Sequence, residues 1–194
     1  MKNKHDIKIP VEVSARHCHL SQLDLEKLFG AGYELKRMKD LSQPSDFACE
    51  ETVNISFGSK QIENIRIVGP VRSQTQVEIS LTDSVGSGIM VPIKLSGELE
   101  NSAPVTITGP VGAVKLNKGL IVALHHIHCA TSEASQLGLK NGDIVSVEVK
   151  GVRPIIFENV PVRVKDNYIL CLHLDTDEGN AAGINKIGVG VIKE

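Results

Sequence analysis

Two His-x-His pairs are the residues of this sequence whose types and spacing best suit chemistry: His17 with His19, and His126 with His128. Each pair follows a strand-like apolar run, and side chains two residues apart on a strand point to the same face. Two neutral imidazoles on the same face can together bind zinc or a similar borderline cation, each through one ring nitrogen. Polar side chains on a solvated strand face are the alternative explanation for either pair taken alone.

An internal repeat adds a third candidate ligand to each pair. Residues 13–19 resemble residues 122–128, a shift of 109 (from 17 to 126), and residues 62–65 resemble residues 157–160, a shift of 95 (from 63 to 158). At the second shift Glu78 corresponds to His173, and both lie in apolar runs where an unpaired polar group would be costly. Three protein ligands with an open position are typical of catalytic metal sites. The candidate metal ligands are therefore His17, His19, Glu78, His126, His128 and His173.

Arg72 is the candidate anion-binding and catalytic residue. It lies between Gly69-Pro70 and Glu78, and if this segment is extended, Arg72 shares a face with Glu78. A permanently charged, bidentate fork beside a metal suits phosphate. The alternative is an arginine that only faces solvent.

The four cysteines, Cys18, Cys49, Cys129 and Cys171, are far apart and form no Cys-x-x-Cys motif. This spacing predicts reduced thiols rather than a disulfide framework. Cys171 shares strand parity with His173, but we interpret it as a small buried residue rather than a ligand.

The elements that must position these side chains are mostly strands. Aromatic residues make up only 3% of the chain and Trp is absent, so the core must come from Val, Ile and Leu, which favour strands. Alternating apolar and polar runs dominate, and helices are predicted only at residues 21–29 and 131–137. The sequence predicts a mainly β fold of two β-barrels, one for each half-repeat (1–100 and 101–194), with strands exchanged between the barrels.

Composition excludes several classes of function. The net charge is −2 and no basic block occurs, so nucleic-acid binding has no electrostatic support. No run approaches the roughly 20 apolar residues of a membrane span, and residues 1–13 contain no apolar core of a signal peptide. These observations predict a cytoplasmic protein without membrane partners. The sequence leaves open whether the chain forms a homodimer.

Several co-linear blocks together resemble the phosphate propanoyltransferase family of PduL-type phosphotransacylases over about residues 9–185. They are SARHCHLS, LSQPSDFACEETV, IENIRIVGPVRSQTQVEIS, HHIHCA, GLKNGDIVSVEV and HLDTDEGNAAG. The resemblance implies two interlocked, pseudo-twofold-related barrels with short capping helices and a two-zinc site. It also implies reversible transfer of a propionyl or acetyl group between coenzyme A and inorganic phosphate.

The resemblance implies roles for individual residues as well. It makes the same six residues the zinc ligands and Arg72 the phosphate-binding residue. It places coenzyme A against Ser14, Lys39, Arg66 and Asn180. Cys18 departs from the family, where valine is common. Members that act in propanediol degradation inside bacterial microcompartments often carry an amphipathic N-terminal helix, and MKNKHDIK is too short and polar for one.

Two other functions remain to be weighed, a metal-dependent hydrolase and a non-enzymatic metal-binding barrel. The metallo-β-lactamase pattern HxHxDH requires Asp at position 21 and His at position 22, where this chain has Ser21 and Gln22. Phosphate-dependent turnover of an acyl-CoA would separate all three functions. Because no Cys or Ser lies beside a non-ligating His, we expect direct attack by phosphate rather than an acyl-enzyme.

Overall fold

The computed structural model describes residues 7–193. Within this range the chain forms fourteen strands and four short helices. The strands are β1 (Ile7–Val13), β2 (His17–His19), β3 (Arg37–Asp40), β4 (Phe47–Phe57), β5 (Lys60–Gly69), β6 (Gln76–Ile79), β7 (Ile93–Lys94), β8 (Ala103–Thr108), β9 (Ala113–Ala123), β10 (His126–Cys129), β11 (Ile144–Val149), β12 (Ile155–Val164), β13 (Cys171–Leu174) and β14 (Ile187–Lys193). The helices are α1 (Gln22–Phe29), α2 (Leu81–Ser84), α3 (Thr131–Leu137) and α4 (Thr176–Ala182).

The chain divides into two compact units. We call Arg16–Ala123 the first barrel, and Met1–Ala15 together with Leu124–Glu194 the second barrel. The predicted mainly β fold of two barrels is confirmed. The half-repeat boundaries at 1–100 and 101–194 stay a prediction about how the chain is organised.

The first barrel closes through six strands in the order β4, β5, β2, β6, β9 and β8, and β8 pairs back to β4. Two short strands, β3 and β7, extend this sheet beside β4 and β9. Its interior is aliphatic, with Ile67, Val77, Ile107 and Leu120 fully buried. Strand β2 therefore lies between β5 and β6, which positions His17 and His19.

The second barrel closes in the order β1, β13, β10, β12, β11 and β14. Strand β10 lies between β12 and β13, in the same parallel and antiparallel senses that β2 has with β5 and β6. Val11, Ile127 and Leu172 are fully buried in its core. The two barrels also share an unusual backbone feature, because Asn64 and Asn159, which are equivalent at the shift of 95, adopt φ angles of 58° and 57°.

The sequence predicted only two of the four helices, α1 and α3. Helix α2 is a single turn, and α4 carries Gly179, which lowers helix propensity. A start signal was nonetheless present in the sequence. Asp175 and Glu178 form a capping box at the beginning of α4, with each side chain accepting a backbone N–H of the other residue.

None of the helices within residues 7–193 has the length and apolar composition needed to span a membrane. Most of the N-terminal segment judged too polar for a targeting helix, residues 1–6, lies outside the described residues.

A buried carboxylate network ties the start of α1 to the segment before β6. Thr75 Oγ1 donates to Asp24 Oδ2 at 2.7 Å and accepts the backbone N–H of Ser21 at 2.9 Å, while Lys27 Nζ donates to Asp24 Oδ1 at 3.3 Å. Burial alone would raise the pKa of Asp24, but the hydrogen bonds from Thr75, Ser21 and Lys27 outweigh it and lower that pKa below 3.8.

We expect Asp24→Asn to lower the free energy of unfolding by about 1–2 kcal/mol at neutral pH. Because the pKa of Asp24 is depressed in the folded state, its stabilisation is present above pH 3.8 and is lost as the pH falls through the folded-state pKa. The difference between wild type and variant should therefore shrink in acid. Urea unfolding across this pH range measures it, with Glu63→Gln, an exposed carboxylate on β5, as control. An equal difference at every pH would contradict the charge argument.

Candidate metal and anion site

Strand β2 of the first barrel presents one of the two imidazole pairs beside a carboxylate. His17 is the Cα partner of Glu78 on β6, and the Nε2 atoms of His17 and His19 are 3.1 Å apart. His17 Nε2 lies 3.7 Å from Glu78 Oε1. One potential ligand atom from each of the three side chains lies within 4.8 Å of the others. The structure thus brings His17, His19 and Glu78 together as a group that could hold a metal ion.

The surroundings of His19 keep it neutral and fix its tautomer. Its Nδ1 lies 2.9 Å from the carbonyl oxygen of Val68, so we assign the proton to Nδ1 and the lone pair to Nε2. Burial, followed by the charges of His17 and Arg72, holds the pKa of His19 well below its usual range. A neutral ring with a carbonyl-bound Nδ1–H is the form in which histidine binds metals.

Glu78 is held by two residues that the sequence interpretation missed. Gln76 Nε2 donates to Glu78 Oε1 at 2.5 Å and to Ser96 Oγ at 3.0 Å, while Gln76 Oε1 accepts the Gly97 N–H at 2.7 Å. Gln76 is the Cα partner of His19, two residues before Glu78, so strand parity alone could have identified it. Ser96 follows β7 in a loop and carried no signal of its own.

Arg72 lies near the group formed by His17, His19 and Glu78, but strand parity is not what places it there. The segment is not continuously extended, because β5 ends at Gly69 and β6 begins at Gln76, so the expected shared face with Glu78 does not apply. Instead, the Arg72 N–H donates to the Leu20 carbonyl at 2.9 Å. Its guanidinium donates to Ser96 Oγ at 3.3 Å.

The remaining neighbour of the Arg72 guanidinium is acidic. One of its nitrogens lies 3.8 Å from Asp46 Oδ2, and about a third of the Arg72 side chain is exposed (34%). The backbone of Arg72 is therefore held in place while its side chain is partly open to solvent. Hydrogen bonds through Ser96 and Gln76 connect its guanidinium to Glu78.

The second barrel repeats the imidazole pair on β10. The Nε2 atoms of His126 and His128 are 3.2 Å apart, and His126 is the Cα partner of His173 on β13. The ring centroid of His173 lies 5.5 Å from that of His126 and 4.8 Å from that of His128. His173 also belongs to a second group of potential ligand atoms within 4.8 Å of one another, formed with Glu12 and Cys171.

A hydrogen bond orients the His126 ring, and burial keeps the His128 ring neutral. His126 Nδ1 lies 2.9 Å from the Leu124 carbonyl oxygen, which directs its Nε2 lone pair toward His128. Burial, together with the charges of His126 and His173, lowers the pKa of His128 to about 2. The His128 ring stacks on Tyr168 at 4.0 Å, and among the described residues its buried Nδ1 has no hydrogen-bond partner.

The spacing of the two nitrogens within each imidazole pair suits a divalent cation. In each pair two Nε2 atoms converge to 3.1–3.2 Å, and the Nδ1 contact of His19 in one pair and of His126 in the other leaves a lone pair on one side of each gap. Two nitrogen ligands at tetrahedral positions around zinc would be about 3.3–3.4 Å apart. A divalent cation could bind both nitrogens of a pair once the second ring also presents its Nε2 lone pair, so each pair suits a metal ion.

The four residues expected to contact coenzyme A fall into both units. In the first barrel, Lys39 is exposed on β3, and Arg66 on β5 is the Cα partner of His17 and donates to the carbonyl oxygens of Cys49 and Glu50. In the second barrel, Ser14 follows β1 and its N–H donates to the Leu174 carbonyl. Asn180 is exposed on α4.

Comparison with known proteins decides the family. The family model described as phosphate propanoyltransferase matches residues 10–185. The chain belongs to the phosphate propanoyltransferase family. It is 48% identical over 182 residues to the phosphate propanoyltransferase of Lachnoclostridium phytofermentans, covering 93% of this chain and 85% of that protein.

Other relatives agree with this assignment. The phosphate propanoyltransferase of Thermotoga maritima is 48% identical over 178 residues, which cover 91% of this chain and 85% of that protein. That of Clostridioides difficile is 45% identical over 183 residues, with coverages of 94% and 88%. The resemblance noted in the sequence is confirmed, and the protein is an enzyme, a transferase that acts on acyl groups.

Proposed function

We propose that this protein is a phosphate acyltransferase that moves a propionyl or acetyl group reversibly from coenzyme A to inorganic phosphate at a two-zinc site. One observation carries the proposal: the guanidinium of Arg72 is linked through Ser96 and Gln76 to Glu78 of a metal-binding group. An anion-binding fork beside a cation site is what a reaction between two anionic substrates needs, because phosphate and coenzyme A repel each other.

The six candidate ligands would hold the two ions in sets of three. His17, His19 and Glu78 supply one set, and His126, His128 and His173 supply the other. A divalent ion held by such a set would supply Lewis-acid polarisation of a thioester carbonyl and positive charge to offset phosphate and a leaving thiolate. Val68 and Leu124 contribute by keeping Nδ1 protonated on His19 and His126, so that Nε2 stays available.

Arg72 binds and orients the phosphate. Its planar fork can donate two parallel hydrogen bonds to two of the four phosphate oxygens, which orients the other two, one of which attacks. Ser96 Oγ, 3.3 Å from the guanidinium, limits how the fork can rotate. Asp46 at 3.8 Å holds the other side of the fork.

Attack by phosphate on the acyl-CoA is direct. A phosphate oxygen forms a bond to the carbonyl carbon, the carbon–sulfur bond breaks, and coenzyme A leaves as its thiolate. The cysteines do not serve as acyl carriers, because burial raises the pKa of Cys49 and Cys129 to about 11 and raises that of Cys18 further. Their thiols remain protonated at neutral pH and are poor nucleophiles.

Ser14, Lys39, Arg66 and Asn180 bind coenzyme A in this proposal. Lys39 and Arg66 supply positive charge suited to the phosphates of the cofactor tail. Ser14 and Asn180 offer neutral hydrogen-bonding groups.

Phosphate dependence tests the function. Release of coenzyme A should be followed from acetyl-, propionyl- and butyryl-CoA with and without inorganic phosphate. We expect release only with phosphate. Rates for acyl chains that differ by one methylene should differ by no more than about 200-fold, since one methylene is worth about 1–3 kcal/mol. Equal release without phosphate would instead indicate a hydrolase, and no release would indicate a binding protein.

Glu78→His tests whether the carboxylate itself matters. Imidazole is a competent zinc ligand, so we expect the metal content to be retained. The substitution removes a negative charge near Arg72 and the acceptor of the Gln76 hydrogen bond, so we expect turnover to fall about tenfold. Zinc content and steady-state rates measure both parts. Normal zinc with an unchanged rate would show that the carboxylate is dispensable.

A further inference from the structure

A second set of potential metal ligands surrounds His173, on the side of β13 that pairs with β1. Glu12 on β1 is the Cα partner of His173, and Cys171 lies two residues before His173 on the same strand face. One potential ligand atom from each of Glu12, Cys171 and His173 lies within 4.8 Å of the other two. Three side chains from two strands therefore converge on one point.

The chemistry of this trio selects a class of cation. It combines a carboxylate oxygen, a sulfur and an imidazole nitrogen, the three donor types that zinc accepts, whereas calcium and magnesium require oxygen ligands. Cys171 is buried, with 5% of its surface exposed, and the other two residues are half-buried. A buried sulfur donor distinguishes this trio from an exposed cluster of acidic residues.

The trio is not part of the plan that the two barrels share. In the first barrel, the Cα partner of Glu78 on β9 is Ile121, which is fully buried, and the residue two before Glu78 is Gln76. The equivalent positions in the second barrel hold Glu12 and Cys171. Of the two barrels, as far as residues 7–193 describe them, the second alone has extra donor atoms of this kind beside its third ligand.

We propose that Glu12, Cys171 and His173 form a further binding site for a borderline-soft divalent cation of the zinc class. The site shares His173 with the set formed by His126 and His128, so a cation in the second barrel has two alternative positions. Coordination by Cys171 releases its thiol proton to solvent. The site rests on the proximity of these three donors and does not require the proposed acyl transfer.

Cobalt(II) is the probe, because a thiolate bound to cobalt gives a near-ultraviolet charge-transfer band that imidazole and carboxylate do not give. The full-length protein is depleted of metal with a chelator and titrated with cobalt. We expect the band in the wild type and in His126→Ala, which lacks one ligand of the other set. Cys171→Ala should lose it, and Cys129→Ala, which removes a buried core cysteine of the same barrel, should keep it.

Glu12→Gln gives a second measurement that does not depend on how Cys171→Ala folds. Without the carboxylate charge, the cobalt concentration that gives half of the maximal absorbance should rise at least about tenfold. The inference is overturned if neither the wild type nor His126→Ala shows the band, if the band survives Cys171→Ala, or if Glu12→Gln leaves the midpoint unchanged. Turnover measured in parallel separates this site from the proposed function, since a band without turnover supports the site but not the proposed two-metal acyl transfer.

Discussion

Alanine in place of His17, and separately of His126, should lower the bound metal and reduce phosphate-dependent release of coenzyme A by about a thousandfold or more. Each substitution removes one of two Nε2 atoms that lie 3.1–3.2 Å apart, and it leaves two candidate ligands in that barrel. Loss of a bound ion forfeits several kcal/mol of charge stabilisation in the transition state, which corresponds to this factor. Metal analysis of the purified variants and their steady-state rates measure the two effects.

A neighbouring histidine provides the matched control. His125 immediately precedes the second pair, and its Nδ1 lies 2.5 Å from the carboxylate oxygen Oε1 of Glu178 on α4. We expect His125→Gln to retain the metal content of the wild type, because this ring is engaged by a carboxylate outside the proposed ligand sets. Wild-type metal content and rate in both His17→Ala and His126→Ala would contradict the assignment of the pairs.

Lysine in place of Arg72 should lower kcat/KM for phosphate by about a hundredfold while the metal content stays unchanged. Lysine keeps the positive charge but cannot donate two parallel hydrogen bonds, so the loss measures the bidentate geometry. The hydrogen bond to Ser96 Oγ would be lost as well. Initial rates at varied phosphate and fixed acyl-CoA give the value.

Arg16→Lys is the control for this substitution. Arg16 is an exposed arginine in the same barrel whose guanidinium pairs with Asp83 at 2.7 Å, a contact that lysine can also make. We expect its phosphate kinetics to match the wild type. If Arg72→Lys and Arg72→Ala both keep wild-type phosphate kinetics, the phosphate is bound elsewhere.

The side chains that could be predicted from sequence are those governed by local periodicity or by the repeat. Strand parity predicted that His17 and His19 share a face, and the shift of 95 paired Glu78 with His173. The structure gives these two residues equivalent registers, opposite His17 and His126. Periodicity was sufficient for these residues because alternate side chains of a strand point to the same face regardless of which strands pair with it.

The contacts that could not be predicted depend on strand neighbours and loops far apart in the chain. Glu12 lies in an alternating strand run that gives no sign of its partner, and only the pairing of β1 with β13 places it beside His173. Ser96 and Asp46 lie in loops that meet Arg72 once the first barrel has closed. Strand parity placed Arg72 beside Glu78 only on the condition that its segment is extended, and its backbone contacts with residues 20 and 21 position it instead.

Oxygen labelling distinguishes phosphate from water as the acceptor of the acyl group. Propionyl-CoA is incubated with the enzyme and inorganic phosphate carrying heavy oxygen, and the products are analysed by mass spectrometry. We predict acyl phosphate in equal amount to the released coenzyme A, with heavy oxygen in the bond that joins the acyl group to phosphorus. Free propionate formed in step with coenzyme A, with no acyl phosphate and no label, would contradict transfer of the acyl group to phosphate.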